Sequence, residues 1–427
     1  ANKKPRLMSI LNEGVETRLG NSVRVSHSMV PVKAEQYGSD NPYLVVFPRT
    51  DLTLVFQIVI SLLAFLFAYD AIAGERENGT LSLTLSNAIP RGVLLLGKYI
   101  GGMLSLVVPL MLSLLVGLQV ILYSPYAMMS ASDWARIGLF CLVSLIYVST
   151  FFTLGLLFSS NTRRTATALM FIMFFWVVFV LVWPSASAFA VSKLVPLKSD
   201  ADLSWEGFMA LSAKGGNASQ HRVYDLWLNQ FQREVRRLEE KYNVTGWSVG
   251  SSSIYYNKSE TLHGKFGPPE KLPLFHEYLK FKEELRIRYA DKEGQMWQEY
   301  LTQNPIRQAK LAQDVARISP AAAYTHATAI LAETDLDSHL RFLDQAKQYR
   351  SELIQYLRDQ NAFASEAWYN PEAVKKINTK GIPLFRERPE SLSSSIRRAT
   401  FDILILALLN VAFFLLTYLS FLRYDVR

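Results

Sequence analysis

The stretch "SLLAFLFAYDAIAGERENGTLSLTL", Ser61 to Leu85, joins an apolar run directly to a cluster of charges. Its first part is almost wholly apolar, whereas its second part carries Glu75, Arg76 and Glu77 before the leucines resume. Charged side chains are costly inside a bilayer and inexpensive at its surface. We therefore expect a membrane helix that leaves the lipid near Asp70 and is followed by a charged element in water.

The composition supports a membrane protein. The 427-residue chain is 50% hydrophobic, and its mean hydropathy is positive, +0.12, although 19% of its residues are charged. The single cysteine, Cys141, lies in an apolar run and leaves no disulfide framework or cysteine metal site. The net charge of +8 comes from basic residues interleaved with acidic ones, so we expect no nucleic-acid partner.

Five segments are apolar enough, and long enough at roughly 20 residues, to cross a hydrocarbon core. We place them at 52–72, 99–123, 136–159, 166–190 and 401–422. A buried helix of a soluble protein would explain one such segment, but not five with three joined by short loops. The predicted fold class is an all-α polytopic membrane protein with five visible transmembrane helices and a mainly helical extracytoplasmic domain. A sixth helix, the first, is expected to be missing from the chain.

The orientation follows from the short loops. Two loops, after the first and third spans, and the C-terminal tail lie on one side and carry Lys and Arg, which places that side in the cytoplasm. Five spans then put residues 1–50 outside, yet these residues contain no signal-like apolar region and begin with Ala. Either the chain has its N-terminus outside or a first helix is absent, and we favour the absent helix.

These inferences give a domain map. The predicted parts are an extracytoplasmic segment, 1–50; transmembrane helices at 51–73, 99–124, 136–159, 166–191 and 400–423; a coupling helix with re-entry, 74–98; an outer loop, 125–135; a cytoplasmic loop, 160–165; a large helical extracytoplasmic domain, 192–399; and a cytoplasmic tail, 424–427. Within the large domain, apolar residues at helical spacing from Tyr224 to Tyr242 predict a long amphipathic helix whose other face carries the charges of "REVRRLEE". Similar patterns predict helices over "LPLFHEYLKFKEELRIRYADKEGQMWQEYL" and "LDSHLRFLDQAKQYRSELIQYLRDQ". The stretch "NVTGWSVGSSSIYYNKSETLHGKFGPP" is rich in Gly, Ser and Pro and predicts a long loop.

The chain offers little enzyme chemistry. "GVLLLGK", Gly92 to Lys98, has the spacing of a phosphate-binding loop, but Tyr99 follows where Ser or Thr is needed, so an apolar helix is favoured. The six histidines show no metal-ligand spacing. The spans contain mainly Gln57, Gln119, Thr150 and Asn410 as polar residues, which favours helix-to-helix hydrogen bonds over an ion path. We expect no catalytic residues, no metal site and no cofactor in this chain.

The charged cluster remains as the candidate site. Gly79 permits a sharp turn, and the leucines of "LSLTLS" follow it with the period of a strand, so strand and helix compete. A strand at the membrane surface would need a partner, and a short amphipathic helix ending at Pro90 is favoured. A plain interfacial loop with solvated charges is the alternative.

The residues from Tyr69 to Gly102, "YDAIAGERENGTLSLTLSNAIPRGVLLLGKYIGG", closely resemble the cytoplasmic connection of ATP-binding-cassette (ABC) permeases of the type-2, exporter-like class. The pattern of that class is E-R-E-x-G-T-L, then Pro or Ser with Arg, then G-K before the next span. "EGVETRLGNSVRVSHSMVPVKAEQYGSDNPYLVVFPRTDLTLVFQ" and "ARISPAAAYTHATAILAETDLDSHLRFLDQAKQYR" resemble the two outer regions of a subfamily with enlarged extracytoplasmic parts. The resemblance covers most of the chain, and its outer segments are less specific.

The resemblance implies a transport subunit of a bacterial plasma (inner) membrane, not an enzyme. It implies two separate ATPase subunits, which carry the ATP and magnesium, a second permease copy, most simply as a homodimer, and contact with membrane lipid. An extracytoplasmic partner protein is a further expectation from the size of the outer domain. The coupling helix that docks on the ATPase would comprise Glu75, Arg76, Glu77, Gly79, Thr80 and Leu81, with Arg91 and Lys98 flanking the re-entry.

Two other functions remain open at this level. The first is a membrane-anchored receptor or scaffold whose outer domain binds a ligand or a partner protein. A receptor would stand without an ATPase, whereas a permease would co-purify with one. The second is an intramembrane enzyme, for which the spans lack an evident catalytic group. The sequence does not indicate the cargo or the residues of its path.

Overall fold

The computed structural model describes residues 1–3, 7–35, 51–86, 90–123, 129–197, 222–242, 247–249, 254–256, 260–261, 272–364 and 379–423. Within them, five helices are long and apolar enough to cross a membrane, and they are called spans 1 to 5 in chain order: Leu52–Glu77, Arg91–Gln119, Ala131–Asn161, Thr165–Leu194 and Leu392–Leu422. The prediction of an all-α polytopic membrane protein with five visible spans is confirmed. The predicted tail, 424–427, lies outside the described residues.

The elements follow in chain order. The first half consists of a 3-10 turn (Leu7–Ile10), α1 (Glu16–Leu19), α2 (Leu52–Val55), a π-helical turn (Phe56–Ile60), α3 (Ser61–Ala68), α4 (Ala73–Glu77), α5 (Thr80–Ser86), α6 (Arg91–Leu122), α7 (Ala131–Asn161), α8 (Thr165–Trp176), a π-helical turn (Val177–Val182) and α9 (Trp183–Leu194). The second half consists of α10 (Arg222–Tyr242), β1 (Trp247–Val249), β2 (Ile254–Tyr256), β3 (Glu260–Thr261), α11 (Leu272–Leu301), a π-helical turn (Thr302–Ile306), α12 (Arg307–Ala316), α13 (Pro320–Ala332), α14 (Leu336–Asp359), 3-10 turns (Ala362–Ala364 and Thr379–Gly381) and α15 (Leu392–Leu422).

Polar residues cap the starts of spans 1 and 3. Asp51 accepts a hydrogen bond from the amide of Leu54 at 2.7 Å and caps span 1. Ser130 and Asp133 form a reciprocal capping box at the start of span 3. Such caps satisfy amides that the first helical turn leaves without partners. The starts of spans 1 and 3 are therefore set by local sequence.

Span 3 is the most buried of the five spans, and spans 1, 2 and 5 pack on it. Phe65 of span 1 meets Phe151 edge to face, with ring centroids 5.2 Å apart. Gly155 lies so close to Ala68 that an added Cβ would be 2.6 Å from the alanine side chain. Close approach through small residues is the usual way in which membrane helices associate, because lipid supplies no hydrophobic driving force.

The spans run alternately, so that spans 1, 3 and 5 finish where spans 2 and 4 begin. We call this side of the bundle the Glu75 end. The opposite side carries the N-terminal residues 1–35 together with the described parts of 195–391, which we call the polar domain. It consists mainly of helices, and α10, α11 and α14 cover the three predicted amphipathic stretches.

The predicted long loop after α10 contains regular structure in its described part. β1, β2 and β3 form a small antiparallel sheet in which Trp247 pairs with Tyr256. Aromatic and β-branched residues favour this pairing. The prediction of a loop from the glycine and serine content of the stretch therefore missed three short strands.

The helices α12 and α13 form a hairpin that enters the bundle. The hydroxyl of Ser319, in the turn between them, donates to the carbonyl of Phe179, near the middle of span 4. On α13, Tyr324 stacks on Tyr147 of span 3, with centroids 4.3 Å apart. Sequence analysis placed these residues within the outer domain, 192–399. In the structure, α13 instead packs between spans 3 and 5 as part of the same buried core.

The N-terminal segment completes the polar domain. The amide of Val15 donates to the carbonyl of Thr334 at 2.9 Å, and the side-chain amide of Asn12 donates to the hydroxyl of Thr328 at 2.8 Å. Gly14 adopts a φ of +56°, and an added Cβ would lie 2.3 Å from the Thr334 carbonyl oxygen. Only glycine fits this close approach. The described residues of 1–35 thus pack with residues 320–346.

Candidate functional site

The candidate site is the end of span 1, α4, together with the helix that follows it on the way to span 2, α5. Span 1 loses regular helical structure at 69–72, resumes as α4, and turns at Gly79, whose φ is +74°. The sequence "LSLTLS" is helical in α5, so the helix favoured over a strand is confirmed. Residues 87–89, which lead to Pro90, lie outside the described residues.

Glu75 faces the bundle. Its Oε1 lies 2.7 Å from the Nζ of Lys98, which is on the second turn of α6. The same ammonium group donates to the carbonyl of Ala71 at 2.6 Å. The side chains of Glu75 and Lys98 are 36% and 15% exposed, so the pair is partly shielded from water. Lys98 therefore joins span 2 both to the break in span 1 and to α4.

Arg76 binds the end of span 3. Its guanidinium donates to the carbonyl of Thr162 at 2.7 Å and to that of Ser160 at 3.0 Å. The last carbonyls of a helix have no partner within the helix and carry the negative end of its dipole. A positive charge from α4 is therefore favourable at this position.

Glu77 binds the start of span 4. Its Oε2 accepts from the amide of Thr165 at 2.9 Å and from the Thr165 hydroxyl at 2.8 Å. The local N-cap residue, Arg164, makes no side-chain capping bond. Because the first amides of a helix need acceptors and favour a negative charge, Glu77 serves as a cap supplied by a different segment of the chain.

The remaining predicted residues divide between the interior and the surface. Leu81 is fully buried in the bundle core, and the guanidinium of Arg91 donates to the carbonyl of Leu422 at the end of span 5. Thr80 and Gly79 are exposed, and Leu83, two residues after Leu81, is 69% exposed. The exposed surface of α5 thus faces away from the bundle, whereas the charged side chains of α4 bind other spans.

Sequence reasoning missed the groups that hold α4. The hydroxyl of Ser159 accepts from the amides of Ile72 and Ala73 at 3.0 and 2.9 Å. Together with Ser160, Thr162 and Thr165 it lies in "SSNTRRT", between spans 3 and 4. A run of hydroxyl residues beside two arginines at the end of an apolar span was the available signal.

The "GVLLLGK" segment is helical. It forms the first turns of α6, and Gly92 packs against the ring of Tyr418. A phosphate-binding loop needs consecutive amides that are free of helical hydrogen bonds. The interpretation as an apolar helix with an interfacial lysine is confirmed. Among the described residues, no group of three or more His, Cys, Asp or Glu side chains is arranged to hold a metal ion.

A second set of charges lies where the polar domain meets the bundle. Arg136 of span 3 pairs with Glu333 at 2.6 Å and also donates to the carbonyl of Leu331 at 2.8 Å. Arg317, in the turn of the hairpin, pairs at 2.7 Å with Asp402, which is fully buried in span 5. Sequence analysis omitted Asp402 from the polar residues of the spans, although it is the second residue of the predicted span 401–422.

A third group of charges surrounds Glu390, just before span 5. Arg398 donates to this carboxylate at 2.6 Å and pairs with Asp335, while Arg341 approaches it at 2.7 Å. Burial opposes ionisation of Glu390, but the hydrogen bonds from Arg398 and Ser394 outweigh it and lower the pKa of the carboxyl. The polar domain is therefore attached to spans 3 and 5 through ionised groups.

Three of the four polar residues that sequence analysis noted within the spans connect helices, whereas the fourth, Gln119, is exposed. The side chain of Asn410 donates to Ser149, and the hydroxyl of Thr150 lies 3.3 Å from the carbonyl of Leu406. The side-chain carbonyl of Gln57 accepts from Thr325 of the hairpin at 3.2 Å. These contacts agree with their expected role in helix association.

A lateral cleft of about 940 Å³ separates the outer parts of spans 1, 2 and 3. Its walls are almost wholly apolar and include Leu63, Pro109, Leu114 and Phe140. The cleft lies at the polar-domain half of the bundle and is far from the charged residues of α4. It forms no part of the candidate site.

The family model described as "ABC-2 family transporter protein" matches residues 12–426. Two curated relatives are each described as "Probable ABC transporter permease protein NosY". The one from Pseudomonas aeruginosa is 33% identical over 135 residues, which are 32% of this chain and 49% of the relative. The one from Stutzerimonas stutzeri is 32% identical over 126 residues, 29% of this chain and 45% of the relative. The chain thus spans about half the length of the curated relatives it matches.

Proposed function

The chain belongs to the ABC-2 transporter family, whose model spans residues 12–426, and from that premise we propose that this permease subunit is driven by separate ATPase subunits through α4 and α5. The family and the five apolar spans make it a multi-pass protein of the inner membrane. In the proposed complex, two copies of the chain form a homodimer, two ATPase subunits bind at the Glu75 end, and the cargo is exported.

The attachment of α4 is the observation that carries the proposal. Its charged side chains bind the start of span 2, the end of span 3 and the start of span 4. A displacement of α4 is therefore passed to several spans at once, whereas an ordinary interfacial loop would join only spans 1 and 2. Helix α5 follows directly and presents an exposed leucine on the side away from the bundle.

The energy would come from ATP, with magnesium, on the partner subunits. ATP binding closes the ATPase pair, the two α5 helices move with it, and the spans shift between inward-open and outward-open arrangements. The role of this chain is to receive that displacement and to provide the path. The element that receives the displacement consists of α4 and α5. It is formed or supported by Glu75, Arg76, Glu77, Gly79, Thr80, Leu81 and Arg91.

The proposed orientation places the Glu75 end, with the C-terminus, in the cytoplasm. Lys98, Arg163 and Arg164 lie at this end, as do Arg76 and Arg91. An excess of Lys and Arg in short loops is typical of the cytoplasmic side. The polar domain would then be extracytoplasmic, where it could receive cargo or bind a partner protein.

The proposal is tested by purifying the tagged chain from its native membranes, identifying the associated ATPase, and measuring ATP hydrolysis by the complex in liposomes. We expect Leu83→Asp to lower the amount of bound ATPase by about tenfold or more, since a central apolar contact contributes more than about 1.4 kcal/mol. Leu384→Asp is the matched control, because Leu384 is 76% exposed in the polar domain.

Two results would contradict the proposal. One is a wild-type chain that carries no ATPase, which would favour the receptor or scaffold alternative. The other is a Leu83→Asp variant that retains the ATPase at the wild-type level while Leu384→Asp loses it. The second result would move the contact surface to the polar domain.

A further inference from the structure

We propose that the Glu75–Lys98 pair is an internal fastening that positions α5, so that Glu75 acts on the ATPase only through α4 and is not itself a contact residue. The inference rests on the proposed function and deepens it. In this inference, α4 fixes the position of α5, and α5 is the helix that the ATPase contacts. Glu75 and Lys98 are then positioning residues.

Helix α4 cannot set its own position. It has five residues, and a helix of one turn gains too few hydrogen bonds to offset the cost of ordering its backbone. It is also separated from the preceding helix of span 1, α3, by the break at 69–72 and from α5 by the turn at Gly79. Its place in the molecule must therefore come from contacts with other elements.

Lys98 provides a contact that joins the break and α4 to span 2. Its ammonium group has three donors, and two of them reach the Glu75 carboxylate at 2.7 Å and the Ala71 carbonyl at 2.6 Å. Ala71 precedes α4 and Glu75 lies within it, so a single cation fixes both to α6. Loss of the Glu75 charge would release α4 from span 2 while the carbonyl contact remained.

The geometry also keeps Glu75 from the surface that an ATPase would meet. Its Oε2 is buried without a hydrogen-bond partner among the described residues, and its Oε1 is taken by Lys98. By contrast, Asn78, Gly79, Thr80, Ser82 and Leu83 are exposed. A partner protein can therefore reach α5 without touching the Glu75 carboxylate.

A charge exchange separates a positioning role from a contact role. Glu75→Lys and Lys98→Glu each place like charges together, whereas the double variant restores an opposite pair with the partners reversed. If Glu75 contacts the ATPase, a lysine at position 75 stays harmful whatever occupies position 98. If Glu75 positions α4, the double variant recovers.

The experiment measures ATP hydrolysis by the reconstituted complex in liposomes for the four forms of this cycle. We expect each single variant to lower hydrolysis about fivefold or more and the double variant to return to within about twofold of wild type. Glu75→Gln, which keeps the shape and removes the charge, serves as a second variant if the charge reversals do not fold. It should express normally and lose hydrolysis to the same extent as Lys98→Met.

A double variant no more active than Glu75→Lys would overturn the inference, as would a fully active Lys98→Glu. The thermal midpoint of the purified chain without ATPase provides an independent measurement of the same cycle. A non-additive effect is expected there even if no ATPase associates with the chain. Failure of the proposed function and failure of this inference therefore give different results.

Discussion

The two ends of the bundle attach neighbouring segments with charges, but in different surroundings. At the polar-domain end, Arg136 and Glu333 are 4% and 7% exposed and bind each other, and Asp402 is fully buried against Arg317. At the Glu75 end, the charges are partly exposed, and Arg76 and Glu77 bind backbone atoms at helix ends. The polar-domain end thus resembles a protein interior, and the Glu75 end a surface.

The difference has an energetic consequence. Removing one partner of a buried ion pair leaves an unpaired charge away from water, which typically costs 3–5 kcal/mol. Partly exposed charges can exchange their partners for water at a cost near 1 kcal/mol. The Glu75 end is therefore suited to rearrangement during a transport cycle, and the polar-domain end is suited to keeping the hairpin of α12 and α13 in place.

The largest expected effect is at Arg136. We expect Arg136→Met to lower the free energy of unfolding by about 3–5 kcal/mol, because Glu333 remains buried without its cation. Thermal unfolding in detergent micelles measures the change. Adding Glu333→Leu as the matched control should recover at least half of the loss, since the buried charge is then removed. A double variant as unstable as the single one would show that the pair is not buried as described.

An intermediate effect on stability is expected when the pH is lowered, and it depends on His339. Burial, helped by the positive charge of Lys3, lowers the pKa of His339 to about 4, whereas the unfolded side chain has its ordinary value of 6.5. Between these values the unfolded chain binds a proton that the folded chain does not bind. Stability contributed by neutral His339 is therefore lost as the pH falls from about 6.5 to about 4, by about 3 kcal/mol in total at 1.36 kcal/mol per unit.

The measurement compares unfolding midpoints across this pH range for wild type and His339→Asn. The variant should lose the part of the pH dependence that is due to His339, while His27→Asn, at a half-buried histidine paired with Glu283, should retain it. Equal slopes for wild type and His339→Asn would contradict the prediction. A positive result would confirm that His339 contributes to the loss of stability in acid.

The smallest effect on stability is expected at the Glu75 end. Arg76→Met removes two hydrogen bonds to carbonyls that water can replace in part, and it should cost about 1 kcal/mol. The same variant should lower ATP hydrolysis by the complex more than Arg136→Met does at a temperature where both are folded. Arg163→Met, at an exposed arginine of the same end, is the control. A loss of stability as large as that of Arg136→Met would remove the contrast between the ends.

Much of the fold followed from local patterns. The five spans were predictable because each contains about 20 apolar residues, and that length matches the bilayer. The position of the hairpin of α12 and α13 was not predictable. The sequence of α13, "PAAAYTHATAILA", has 13 residues, which are too few to span a membrane. An apolar run of this length indicates either a buried helix or a re-entrant segment, and its sequence does not say which. Only the contacts of Tyr324 and Ser319 with spans 3 and 4 place it inside the bundle.

The candidate site divides in the same way. The cluster of Glu75, Arg76 and Glu77 was visible as charges at the mouth of a span, and Gly79 was visible as a turn. The directions in which these charged side chains point were not visible in the sequence. Their partners include Lys98, Ser160 and Thr165, which lie more than 20 residues away along the chain. Leu83 was grouped with the other leucines of α5, yet it is exposed where Leu81 is buried.

The sequence by itself determined the membrane setting, the number of visible spans and the location of the connection between spans 1 and 2, because these depend on hydrophobicity summed over neighbouring residues. Tertiary structure decided which charges face inward, that the hairpin enters the bundle, and that residues 1–35 join the polar domain. These properties depend on partners distant in the chain, and a buried charge such as Asp402 is tolerated only where the fold brings its counter-charge, Arg317, within hydrogen-bond distance.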